Sequence, residues 1–283
     1  MCIRDSGITG LKLVSDTVQL DSRRLDWKGD LDLTQSPDAL DISHSGDLAL
    51  EQIELITDAL QMDGQTGEFK GELSLTQSSD SLRVSHRGGL ALEQLKLVSD
   101  AGVIDNQSTR WDGTTGVQLV GADPLLKLET DGALIMGQTS ADLKQPVIYF
   151  EQQQFSHQGS FSFAQGDPDP SVTVSSNLGL QGLRMEAEER KFKLVDVKDL
   201  RVSGLQVEAL DALAIDAIEA DEMYLAQNVD PDAKDGQTPD AFLHIAHTRI
   251  SKPSFADKVR SIDSIEYEGW HGQAHRNKEG QWR

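Results

Sequence analysis

Cysteine is nearly absent. Cys2 is the only one in 283 residues, which rules out an internal disulfide framework and a cysteine-based zinc site, and is neutral about redox compartment. Long apolar runs are absent too: no stretch reaches 18 residues, and the first 30 hold no basic segment followed by an apolar one. The chain as written therefore shows neither a spanning helix nor an export signal. Basic residues are scarce, with 26 Lys+Arg against 47 Asp+Glu for a net charge of −21. Such a surface repels phosphate backbones and anionic lipid headgroups, which argues against nucleic-acid partners and polybasic membrane docking. Aromatics make up 5% and apolar residues 37%, and the 24 glycines bring the chain to the low edge of the globular range, so it can bury apolar surface and is not an acidic tail.

Catalytic and cofactor motifs are missing as well. Gly179-Leu180-Gln181-Gly182 lacks the third glycine and the strand-to-helix setting of a phosphate loop, and no Gly-x-Ser-x-Gly elbow occurs. Asp230, Asp232 and Asp235 echo a calcium loop, but Lys234 takes the fifth position and Asp235 the glycine position, so a solvated turn is expected. His244 and His247, or His271 and His275, could meet at a metal. On regular strands only the second pair shares a face, and no glutamate completes a metalloprotease arrangement. Carboxylates are too many to single out a glycosidase pair. Asn106-Gln107-Ser108 matches a glycosylation acceptor. No catalytic residue, cofactor or metal is expected.

What is present is a repeat. Leu48-Ala49-Leu50-Glu51-Gln52 returns as Leu90-Ala91-Leu92-Glu93-Gln94, Leu33-Thr34-Gln35-Ser36 as Leu75-Thr76-Gln77-Ser78, and Ser43-His44 as Ser85-His86, each 42 residues on. An aromatic keeps the same beat at Trp27, Phe69 and Trp111, each two residues before a glycine (Gly29, Gly71, Gly113). A looser fourth copy has Phe155 and Gly159 in these slots, and a fifth starts near Gly179. Fixed-period self-similarity decides architecture before any motif does.

Within a unit the period is two. Leu25, Trp27, Gly29, Leu31 and Leu33 share one parity, while Arg24, Asp26, Lys28, Asp30 and Asp32 share the other, the pattern of strands with one apolar and one wet face. Turn chemistry recurs at Ser15-Asp16, Thr57-Asp58 and Ser99-Asp100, and again at Ser36-Pro37-Asp38, Ser78-Ser79-Asp80 and Ala122-Asp123-Pro124, leaving long antiparallel segments between. The apolar parity flips between Leu50 and Ile53, and again between Leu92 and Leu95, which predicts a β-bulge or kink at Glu51-Gln52 and Glu93-Gln94 that curls the sheet. His44 and His86, at equivalent positions, read as a surface ladder. Leu205 to Gln227 is rich in Ala, Leu and Glu, and helix competes there with kinked strand. The five-residue spacing of Asp211, Asp216 and Asp221 favours strand.

Four segments follow. Residues 1–6 (MCIRDS) fit none of the patterning and read as a non-native leader; 7–227 form about five repeat units; 228–240 is a Pro-, Gly- and Asp-rich linker or loop; 241–283 is a further hairpin that stops part-way. The expected fold is all-β, an elongated antiparallel meander of long kinked strands from 42–47-residue repeats that forms a curved groove. A one-sided apolar sheet must be covered by a second sheet, by its own folding over, or by an apolar ligand. Residues expected to line the groove are Leu25, Trp27, Leu31, Leu33, Phe69, Leu73, Leu75, Trp111, Val117 and Phe155.

Such units, with Leu90-x-Leu-x-x-Leu-x-Leu97, Leu200-x-Val-x-x-Leu-x-Val207, and Ile265-Glu266-Tyr267-Glu268 running on to Asn277-Lys278-Glu279-Gly280-Gln281-Trp282, resemble the AsmA-like and TamB-like envelope proteins of Gram-negative bacteria. The resemblance rests on strand and turn patterns and covers about 7–283. It implies a non-enzymatic, taco-shaped periplasmic groove, anchored to the inner membrane through an upstream segment. Such a groove handles phospholipid acyl chains between membranes or supports outer-membrane assembly and maintenance, alongside inner- and outer-membrane proteins. The competing readings are a secreted adhesin or spacer with a filled core, and a carbohydrate-active β-solenoid enzyme.

Overall fold

The structure is a computed structural model and describes residues 2–14, 18–121, 125–165, 170–187, 192–209, 212–228, 241–256 and 259–272. Nearly all of the predicted linker, the acidic cluster at 230–235, His275 and the final turn lie outside the described residues.

Every described element is a strand. In the repeats these are β1 (Cys2–Val14), β2 (Val18–Gln35), β3 (Ala39–Thr57), β4 (Leu60–Ser78), β5 (Ser81–Ser99) and β6 (Gly102–Val120). Next come β7 (Leu125–Met136), β8 (Thr139–Lys144), β9 (Val147–Gln152), β10 (Gln154–Ala164), β11 (Ser171–Ala187) and β12 (Phe192–Ala209). The chain goes on through β13 (Ala212–Ala214), β14 (Ala217–Asn228), β15 (Ala241–Ser251), β16 (Ser254–Ala256), β17 (Val259–Ser261) and β18 (Ser264–Gly272). Pairing is antiparallel between sequence neighbours from β1 to β6. Strands β7 and β8 then run end to end along β6, and β10 and β9 run end to end along β11. The sheet continues through β12, β14, β15 and β18, with β13, β16 and β17 alongside. The segment where helix competed with strand is strand on either side of a break at Ile215 and Asp216, because ladder partners outweigh the helix propensity of Ala and Glu.

The turns follow from the expected chemistry. Thr57 Oγ1 accepts from the backbone N–H of Leu60 at 3.0 Å, and Ser78 Oγ from that of Ser81 at 3.1 Å, so each hydroxyl closes the turn that its repeat position predicts.

Two lines of backbone irregularity cross the sheet. The first is a row of glycines in register: Gly29 lies opposite Gly46, then follow Gly71, Gly88, Gly113, Gly132 and Gly159 on successive strands. At Gly71 φ is +147°, and a Cβ would stand 2.1 Å from the Arg87 carbonyl oxygen, so the strands approach here as only glycine permits. The second line lies six residues from each glycine; Arg23 holds the place on β2, and beyond it comes a row of glutamines: Gln52, Gln65, Gln94, Gln107, Gln138 and Gln153. The ladder steps over the first four without changing register. Gln107 N–H bonds the Gln138 carbonyl at 2.8 Å, and its side chain bonds that of Gln138 at 2.8 Å. Gln52 and Gln94 adopt φ of +51° and +52°. The line continues through Gly182, Lys198, Glu222, Ala246 and Gly269, with φ positive at Gly182, Glu222 and Gly269.

The predicted kink is thus at the predicted residues, but it is not a bulge that adds a residue to one strand. Both strands of each pair are interrupted together, so the parity of both flips and the apolar side chains keep to one face. Gln94→Gly is expected to raise stability by about 0.5–1 kcal/mol, since a non-glycine residue in the left-handed region costs about 1–2 kcal/mol. Gln65→Gly, whose backbone is not left-handed, should lower it by a similar amount. Urea midpoints of the two variants check this.

Candidate functional site

The pairing puts all ten predicted groove residues on one side of the sheet, in four rows. Trp27, Leu48, Phe69, Leu90, Trp111 and Leu134 form one row, and Leu25, Leu50, Gly67, Leu92, Thr109, Met136 and Phe155 the next. Beyond the glycine line come Leu31, His44, Leu73 and His86, then Leu33, Ile42, Leu75, Val84, Val117 and Leu128. Phe155 is not in the aromatic slot, because it stands four residues before Gly159 where Trp27 stands two before Gly29. His157 occupies that slot, opposite Leu134.

His44 and His86 are not a surface ladder. Their rings lean over the bare glycine backbone and interleave with the aromatics across it: Trp27 to His44 at 5.6 Å between centroids, His44 to Phe69 at 5.9 Å, Phe69 to His86 at 5.3 Å. Trp27 Nε1 donates to His44 Nδ1 at 3.0 Å, which fixes the hydrogen of a neutral His44 on Nε2, a buried atom without a partner. Burial pushes the His86 imidazole below its ordinary value. Sequence periodicity missed these contacts because they are diagonal between neighbouring strands.

This face is not packed into a filled core. Among the described residues no side chain is fully buried, and the buried apolar residues are Ile53, Ala141, Val197, Ala217 and Ala220. Leu33, Leu73 and Leu90 remain 43%, 44% and 37% exposed. The accessible surface is 18605 Å², against about 12,000 Å² for a compact chain of this mass.

A polar patch interrupts the apolar rows beside the glutamine line. Asn106 (β6), Thr139 (β8) and Gln152 (β9) are in register. Asn106 Nδ2 donates to Thr139 Oγ1 at 2.8 Å and Gln152 Nε2 to the same oxygen at 2.9 Å, while Thr109 Oγ1 donates to Asn106 Oδ1 at 2.8 Å. Gln152 Nε2 and Thr139 Oγ1 also reach the Gly137 carbonyl, which the break between β7 and β8 leaves without a ladder partner. Asn106 is only 4% exposed, so the glycosylation acceptor read from the sequence is not presented to solvent.

The opposite face is polar. A hollow of about 790 Å³ crosses eight consecutive strand positions there, lined by Asp30, Asp32, Glu72, Arg87, Glu129, Asp131 and a series of Ser and Thr hydroxyls, with His44, Leu73, His86 and Phe161 of the intervening row contributing to its floor. Near the last strands the same face carries a histidine group. His244 stacks on Tyr224 at 4.3 Å and bonds Glu222 Oε2 through Nε2 at 3.0 Å, while His247 Nδ1 meets Asp221 Oδ1 at 2.6 Å. The irregularity at Ala246 brings His244 and His247 to one face, where regular alternation predicts opposite faces. No cluster suited to a metal ion occurs among the described residues.

The hydrogen bond from His244, helped by Tyr224, holds the Glu222 carboxyl below the ordinary carboxylate range. A depressed carboxyl contributes stability that is present above its unfolded value of about 4.5 and lost as pH falls through the folded value. Glu222→Gln is therefore expected to flatten the fall in stability below pH 4.5, with solvent keeping the effect small. Urea midpoints at pH 6 and pH 3 for both proteins check it. Comparison with known proteins finds no matching family model, no matching curated protein and no matching solved structure.

Proposed function

We propose that the apolar face carries lipid acyl chains, making the chain a non-enzymatic lipid-handling segment of a bacterial envelope. The observation that carries this reading is the alignment of apolar rows on one face of a single sheet that has no filled core. Rows that cross the strands make a linear apolar track, and each methylene laid on it contributes about 0.8 kcal/mol. A linear hydrocarbon matches such a track, whereas a peptide on the same face would leave its backbone groups without partners. In this proposal the apolar face is the lipid-bearing one and the hollow on the charged face is not.

The proposed setting is the periplasm, with attachment to the inner membrane through an upstream segment. The proposed role is phospholipid movement between membranes, or outer-membrane assembly and maintenance, with envelope proteins as partners. Native mass spectrometry of the purified chain is the test. Co-purifying phospholipid released by organic extraction is expected, and a lipid-free chain from a Gram-negative host would sink the reading.

A further inference from the structure

We infer that the outer edge of β18 receives a further β-strand from a separate polypeptide, one whose apolar residues alternate with lysine or arginine. Among the described residues β18 pairs with β15 alone, so half of its backbone N–H and C=O groups face outward without a ladder partner there. Edge strands are ordinarily guarded by lysine, proline or a charge turned towards the apolar face, and Ser264–Gly272 has none of the three. On the apolar face it carries Ile265, Tyr267 and Trp270, which continue the rows of Ile250, Thr248 and Ile245 and are 55%, 57% and 63% exposed. Leu73 and Leu90, which have a strand on both sides, are less open. An incoming strand would carry these rows one step further, its main chain supplying affinity and its alternate side chains specificity.

The polar face defines what that strand carries. Charge alternates along the row that crosses β12, β14, β15 and β18: Arg201, Glu219, Arg249, Glu266. Arg249 is paired with Glu219, and in the neighbouring row His247 meets Asp221, so both bases opposite β18 turn back to β14. Glu266 and Glu268, which face them across the ladder, are left without an ion-pair partner among the described residues. A cation on a strand outside β18 completes the alternation at each carboxylate, and opposite charges directly across a ladder stabilise the pairing. A second copy of this chain supplies no such strand. Its opposite edge, β1, carries Gly7 and Thr9 on the same two rows, and a second β18 would set carboxylate against carboxylate.

The experiment follows, by fluorescence anisotropy at about 0.15 M salt, the binding of three capped and labelled nine-residue peptides to the purified full chain. The first, TTVQKVKIT, sets apolar residues against Ile265, Tyr267 and Trp270 and lysines against Glu266 and Glu268 in antiparallel register. The second, TTVQEVEIT, replaces both lysines by glutamate, and the third, VVKKTTQIT, keeps the composition of the first and breaks its alternation. The first is expected to bind about tenfold tighter than the second, as two attractive cross-strand pairs give way to two repulsive ones, and to bind tighter than the third as well. In the double variant Glu266→Lys, Glu268→Lys the order of the first two peptides should reverse. Equal binding of the first and third would mean that net charge alone attracts them, and binding of none would mean that another part of the chain or a second copy closes the edge. Either result overturns the inference, as does a lysine preference kept in the double variant. Both substituted positions are exposed, so the variant is expected to fold, and the three peptides on the native chain decide the matter if it does not. Lipid content does not enter these outcomes, so the acyl-chain reading stands or falls separately.

Discussion

Gly71→Ala is expected to destabilise the chain by roughly 3–5 kcal/mol, enough to unfold a marginal sheet. The added methyl would stand 2.1 Å from the Arg87 carbonyl oxygen and 2.9 Å from the Gly88 Cα, both backbone atoms of the paired strand. Neither can move without opening the ladder between β4 and β5. The backbone at Gly71, with φ of +147°, lies where side chains are rarely found, which alone costs about 1–3 kcal/mol. Gly116→Ala is the control: its Cβ would meet nothing within 4 Å, and its φ is outside the strained range. That change should leave stability within about 0.5 kcal/mol or raise it by reducing freedom in the unfolded chain. Since Gly71 and Gly88 press on each other's strands, the double alanine variant should lose less than the sum of the two singles. Urea denaturation followed by far-ultraviolet circular dichroism measures all four, and equal midpoints for Gly71→Ala and Gly116→Ala would remove the glycine line as a structural requirement.

Half of that line is legible in the sequence. Gly29, Gly71 and Gly113 follow their aromatics at period 42, but Gly46, Gly88 and Gly132 join them only through pairing, which the turns set and composition does not. The parity flip at Gln52 and Gln94 is legible for a related reason: hydrophobic alternation records which face a side chain takes. It does not record how the backbone gets there, so it could not separate a one-strand bulge from the paired interruption observed.

The groove residues are legible to the same extent. Their common face follows from parity, whereas the interleaving of His44 and His86 with Trp27 and Phe69 depends on diagonal neighbours between strands. The patch of Asn106, Thr139 and Gln152 was out of reach. Its members come from β6, β8 and β9, where the breaks at Gln138 and Gln153 have disturbed the repeat, and no local pattern links residues so far apart. What the repeat marked there was that Thr139 holds the position of Ile53 and Leu95, while Asn106 and Gln152 hold that of Ser22 and Gly64.

Leu73→Glu is expected to reduce co-purifying lipid by at least tenfold while leaving the fold intact, and it separates the apolar face from the rest of the molecule more cleanly than a larger change. Leu73 is 44% exposed, so a carboxylate there stays hydrated in the free chain and folding should be little affected. Against an acyl chain the same carboxylate must lose water without gaining a partner, because Leu31, His44, Leu75 and His86 surround it on this face. Trp111→Glu should abolish the lipid altogether, since it removes the widest contact of its row as well as adding charge, though its half-buried position exposes it to folding losses too. Glu72→Leu is the counterpart on the other face: it adjoins Leu73 in the chain, lines the polar hollow and should leave lipid content unchanged. Phosphorus quantified after organic extraction, per mole of chain and beside circular dichroism spectra, decides between them. Folded Leu73→Glu with a full complement of lipid would mean that the lipid lies elsewhere, and loss in Glu72→Leu would assign it to the hollow on the acidic face.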